Sequence, residues 1–142
     1  MKKLISISVM LFLMVALFNV NAAEPQKNTA TTVVTTPTVE VYYFHFSRRC
    51  ATCQAVETES QKAISTLYPA QYKSGRIIFK SINLDEAGNK ALAEKCKADG
   101  QALLLLSGNK RYDLTDKGFM YARTSPEKLK KEYKKIIDPL FK

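Results

Sequence analysis

The spacing of apolar residues changes period several times along the chain, and each change marks an element. From Val39 to Phe46 the run Val-Glu-Val-Tyr-Tyr-Phe-His-Phe is rich in β-branched and aromatic residues. Apart from Glu40 it is too apolar for a strand with one wet face, so it predicts a central strand covered on both sides. The strand runs straight into Ser-Arg-Arg-Cys. Beyond Cys53, Val56, Ala63, Ile64 and Leu67 recur at helical spacing and stop before Pro69, which predicts an amphipathic helix opened by Cys50-Ala-Thr-Cys53.

Arg76 to Leu84 reads as a second buried strand closed by Asp85, and Glu86 to Ala98 as a short helix with Leu92 and Cys96 on one face and Gly100 as its stop. Ala102 to Leu106 is a leucine-rich strand; Ser107-Gly108-Asn109 turns it into Lys110 to Leu114, an antiparallel hairpin. Ser125 with Pro126 behind it is the signature of an N-cap and first helical position. The helix they start carries Leu129, Tyr133, Ile136, Ile137 and Leu140 on one face and a row of lysines on the rest. The order is β-α-β-α-β-β-α, an α/β domain with a central mixed sheet flanked by helices. Phe119, Met120 and Tyr121 read as packing residues.

The N-terminal 38 residues follow a different pattern. Lys2 and Lys3 precede an apolar run from Leu4 to Val20, and Asn21, Ala22 and Ala23 offer small residues to a signal peptidase, so residues 1–23 read as a cleaved secretory signal. No cysteine at the junction offers a lipid anchor. Residues 24–38 are threonine-rich, carry Pro25 and Pro37, and read as a flexible spacer, with Val33 and Val34 as an alternative edge strand. The domain proper is residues 39–142. Export places it in the periplasm or outside the cell.

Composition narrows the class of function. At 142 residues, 46% hydrophobic and 25% charged, the chain is one globular domain and neither a disordered acidic tail nor a multi-pass membrane protein. Its 22 basic and 13 acidic residues give +9, reduced to +7 when the leader's two lysines are removed. No basic-aromatic nucleic-acid motif accompanies that charge, and export points away from nucleic acid.

The cysteine count is three, an odd number in an oxidising compartment. A disulfide between Cys50 and Cys53 closes too small a loop to staple the unfolded chain, so the pair points to chemistry. A zinc site needs four ligands, and the chain offers only Cys96 and His45 beyond the pair. A c-type haem needs His directly after the motif, where Gln54 stands. Cys96 reads as a small buried core residue. His45 reads as a packed histidine whose ring, by residue count, lies on the sheet face away from the CxxC helix.

A strand feeding a CxxC at a helix start, followed by β-α-β-β-α, resembles the thioredoxin-like superfamily over Val39 to Lys142. Within it, Arg-Arg-Cys-Ala-Thr-Cys-Gln-Ala-Val-Glu and Leu-Thr-Asp-Lys-Gly-Phe-Met-Tyr-Ala-Arg-Thr resemble small exported proteins catalogued as nitrophenyl compound nitroreductase subunit, the ArsF family. The resemblance implies that Cys50, at a helix N-terminus and beside Arg48 and Arg49, is the attacking thiolate and that Cys53 resolves the mixed disulfide. A fall in the Cys50 pKa from about 8.5 to about 6.5 would raise its thiolate fraction at pH 7 from roughly 3% to roughly 75%. In this fold the residue before the first cysteine lies over the motif, which makes Arg49 the tuning residue and leaves Arg48 to the solvent.

Departures from the superfamily's pattern are equally specific. Arg49 replaces a tryptophan, Ala51-Thr52 replaces Gly-Pro, Phe44 replaces a buried acid, and Gln101 or Ala102 stands where a cis-proline is usual. Lys80 resembles the lysine of the equivalent strand, without its acidic partner. The reading is therefore an exported thiol–disulfide oxidoreductase or electron-transfer protein that needs no cofactor. It acts as a monomer through a transient mixed disulfide with another exported protein, and meets a membrane only through an uncleaved leader. Two alternatives stand beside it: a carrier of copper(I) or arsenite on Cys50, Cys53 and Cys96, and a redox-silent interaction module.

Overall fold

The computed structural model describes residues 39–142; the leader, the spacer and the Val33–Val34 edge strand lie outside them. Strand β1 (Val39–His45) leads into helix α1 (Ala51–Leu67), and a short helix α2 (Pro69–Lys73) follows with Pro69 in its first turn. Strand β2 (Ile77–Asn83) is joined through a 3-10 turn (Ala87–Asn89) to helix α3 (Lys90–Cys96). The hairpin β3 (Ala102–Ser107) and β4 (Lys110–Asp113) comes next, then helices α4 (Thr115–Tyr121) and α5 (Pro126–Ile137) and a terminal 3-10 turn.

The four strands form one mixed sheet in the order β2-β1-β3-β4. β1 and β2 are parallel, with Val41 opposite Phe79; β1 and β3 are antiparallel, with Tyr43 opposite Leu103; β3 and β4 are antiparallel. With helices on both faces, this is the thioredoxin-like α/β arrangement. The expected antiparallel hairpin is present, but Ser107 pairs with Lys110 and belongs to β3, so the turn is two residues and not three; Gly108 at φ 55° takes the left-handed conformation that starts it.

Strand alternation sorts the core into two layers. Val39, Val41 and Tyr43 of β1 join Leu103 and Leu105 of β3 against α1, α4 and α5. Tyr42, Phe44 and Leu104 point the other way, against Ala93 and Cys96 of α3. β1 is covered on both faces, as its composition predicted. β2 is an edge strand, half-exposed, with Lys80 and Ser81 in solvent, so the expected second buried strand is corrected. Among the described residues β2 and β4 are the outer strands, and the polar Lys80 and Ser81 stand on exposed positions of β2.

Candidate functional site

The site is built where β1 ends and α1 begins. Cys50 is the N-cap of α1: its backbone is extended at φ −83° and ψ 166°, its carbonyl accepts the Gln54 amide at 3.0 Å, and its sulfur accepts the Cys53 amide at 3.1 Å. An N-terminal amide with no intrahelical partner is thereby satisfied by the sulfur itself. A helix of 17 residues with no acid in its first turn directs the positive end of its dipole at that sulfur.

Cys50 and Cys53 are joined as a disulfide. The two sulfurs sit in different surroundings: Cys50 is exposed, while Cys53 is 4% exposed and lies 3.8 Å from the Gln101 side-chain oxygen. Gln101 is the residue just before β3, so the loop after α3 supplies a polar neighbour to the buried sulfur. Among the described residues there is no cis peptide bond, and Gln101 and Ala102 are both trans.

Arg49 does not extend into solvent. Its guanidinium donates to the Cys53 carbonyl at 3.3 Å, forms an ion pair with Glu57, and lies over the Tyr43 ring 5.6 Å from its centroid. Arg48 is exposed. Burial pushes the Tyr43 hydroxyl's pKa up, with Arg49 opposing that rise and Glu57 adding to it. Among the described residues, neither the Tyr43 hydroxyl nor Arg49 Nε, both buried, has a partner within hydrogen-bonding geometry.

The loop between β1 and α1 is tied to the end of β2. Ser47 donates its amide to Asp85 at 2.7 Å, and the Asn83 amide donates to the Ser47 hydroxyl at 3.0 Å. The Ser47 amide first and its hydroxyl second hold the Asp85 carboxyl below the usual carboxylate range.

Three expectations are corrected here. The His45 ring lies against Tyr43, with centroids 5.6 Å apart, and so shares the α1 side of the sheet. The count failed because it assigned the CxxC helix to the wrong strand face: His45 shares the parity of Val41 and Tyr43, which pack on the α1 side. His45 is otherwise packed, with Nδ1 2.9 Å from the Phe46 carbonyl oxygen. Met120, expected to pack, is 57% exposed, while Phe119 and Tyr121 do border the core. Cys96 is buried as expected but belongs to the α3 layer with Phe44, so the sheet stands between it and the pair. Among the described residues no three His, Cys, Asp or Glu side chains are grouped to hold a metal.

Sequence reasoning singled out Cys50, Cys53 and Arg49 and assigned no role to Glu57, Tyr43, Gln101 or the Ser47–Asp85 tie. Glu57 had a legible signal: it lies one helical turn beyond Cys53, and Cys53 lies four residues beyond Arg49. Tyr43 and Asp85 approach through the sheet, and no local spacing announces them.

No family model matches the chain, and the search of curated proteins found no match. Among solved structures, Deadhead, a germline-specific thioredoxin of Drosophila melanogaster, is similar at 19% identity and a TM-score of 0.45, over 70% of this chain and 81% of that one. A malarial protein is similar at 27% identity and a TM-score of 0.39, over 55% of this chain and 82% of that one. At these scores neither likeness assigns a function. The chain's own strand order and the place of its cysteine pair give the α/β, thioredoxin-like architecture.

Proposed function

We propose that this protein is a thiol–disulfide exchange protein that works outside the reducing cytosol, passing a disulfide or electrons through Cys50 and Cys53. The observation that carries the reading is the asymmetry of the pair: an exposed sulfur at the cap of α1 bonded to a buried one a single turn further in. The leader-like residues 1–23 and the ArsF-family resemblance support export.

In the oxidising direction a partner thiolate attacks the Cys50 sulfur. The bond to Cys53 breaks, and Cys53 leaves as a thiolate. A second partner thiolate then attacks the partner sulfur of the mixed disulfide, releasing Cys50. The partner gains a disulfide and loses two electrons, which reside on the two cysteines as thiolates or, once protonated, thiols. The reducing direction is the same sequence reversed, with Cys50 as attacker and Cys53 as resolver.

Two measurements test this. Cys53→Ser should accumulate a mixed disulfide between Cys50 and another exported protein, stable to gel electrophoresis and released by reductant. The Cys50–Cys53 reduction potential, equilibrated against glutathione or dithiothreitol, should lie above about −300 mV, since structural bridges lie below it. A lower potential together with an empty trap would mark an inert clip.

A further inference from the structure

Arg49 is held by three groups other than the Cys50 sulfur: the Cys53 carbonyl, the Glu57 carboxylate and the face of Tyr43. The side chains of Arg49 and Glu57 are only 19% and 27% exposed, so water and salt screen this pair less than an ordinary surface pair. An arginine fixed against a carboxylate presents little net charge to a third group. We propose that Glu57 sets the reactivity of Cys50 by neutralising Arg49 and holding it along α1, which leaves the helix N-terminus as the main electropositive influence on the exposed sulfur.

The proposal deepens the exchange reading and rests on it for the role of Cys50. Tyr43 of β1 lies against Arg49, the His45 ring lies 5.6 Å from that of Tyr43, and Arg48, next in the chain, is exposed. Tyr43 feels both members of the pair in opposite senses, as a group beside a neutralised ion pair should. Glu57 is thus a positioning residue, and so is Arg49; neither is the attacking group. Removing the carboxylate leaves a positive charge beside the motif and favours the Cys50 thiolate. Removing the guanidinium leaves a negative charge there and disfavours it.

The test is the pH dependence of Cys50 alkylation by iodoacetamide in the reduced, folded protein. Glu57→Gln should lower the Cys50 pKa by about half to one unit, Arg49→Met should raise it by a similar amount, and the double variant should return to within about 0.2 unit of the unmodified protein. Glu57→Asp, which keeps the charge, should restore the original value. Against a glutathione buffer, Glu57→Gln should favour the reduced pair by about three- to tenfold, or about 15 to 30 mV more oxidising.

A residue that merely supported the helix would not give opposite signs that cancel. Shifts of the same sign in both single variants, or no shift in either, would overturn the proposal. If Glu57→Gln does not fold, an unmoved or lowered pKa in Arg49→Met overturns it alone. These values are read whether or not a partner exchanges with Cys50, so failure here is distinct from an empty Cys53→Ser trap.

Discussion

Asp85 shows how one side chain positions a reactive loop that it never touches at the sulfur. Its carboxylate accepts the Ser47 amide, and Asn83 binds both the Asp85 amide and the Ser47 hydroxyl, so the chain leaving β1 is tied to the chain leaving β2. Because these bonds hold the folded-state pKa of Asp85 below its unfolded value, their contribution is fully present above the unfolded value, near 3.9, and is lost as pH falls towards the folded one. Asp85→Ala should therefore speed hydrogen exchange of the Ser47 amide at neutral pH while the amides in the middle of α1 keep their protection. The Ser47 amide resonance should also follow an acid transition that vanishes in the variant. Unchanged Ser47 protection would show that the loop is held by something else. This tie was illegible in the sequence because Ser47 and Asp85 are 38 residues apart and are joined only by the parallel register of β1 on β2. The cysteines and Arg49, close together in the chain, were legible from spacing alone.

Elements were read best where they are long and strongly periodic. α5 buries Leu129, Tyr133 and Ile137, with Ile136 and Leu140 beside them, as its pattern required. Its cap is a finer matter: Ser125 stands at the N-cap, yet its hydroxyl makes no capping bond, and the Lys128 amide goes to the Ser125 carbonyl at 2.8 Å. Ser125→Ala should thus cost only a few tenths of a kcal/mol, against about 1 kcal/mol for a serine cap whose hydroxyl is bonded. The helix α4 was not anticipated, because seven residues including a glycine give too few turns for a period to emerge. Packing explains that glycine. A Cβ on Gly118 would lie 2.8 Å from Leu103 Cδ2 and 3.3 Å from Val56 Cγ1, so the bare backbone lets α4 settle onto β3 and α1. Gly118→Val adds two methyl groups beyond that Cβ. Overpacking of about 1 to 3 kcal/mol outweighs the fraction of a kcal/mol by which valine is a better helix former than glycine. Its melting temperature should fall by several degrees or more, and an unchanged melt would show that α4 can lift away freely.

The sheet acts as a partition, and this decides what the third cysteine can do. Cys96 ends α3 with 2% exposure among Tyr42, Phe44 and Leu104, while the Cys50–Cys53 helix packs on the opposite face through Val56. Burial pushes the Cys96 thiol's pKa up, with Glu40 adding to the rise and Lys95 and Arg111 opposing it, so it is held protonated and unreactive at neutral pH. Helical periodicity was enough to bury Cys96. Which face it joined depended on the strand order β2-β1-β3-β4, which periodicity does not contain. Cys96 stays a free thiol in this arrangement because it reaches neither solvent nor the Cys50–Cys53 pair. In the reduced, folded protein, iodoacetamide should therefore modify Cys50 first and Cys53 more slowly, and Cys96 only after denaturant is added, each step read as one added mass. Arsenite bound to the reduced pair should be held no more tightly than by a simple dithiol, and Cys96→Ala should leave that binding unchanged. Alkylation of Cys96 alongside Cys50 in the native state, or weaker arsenite binding in Cys96→Ala, would mean that α3 opens far enough to bring the third sulfur around the edge of the sheet.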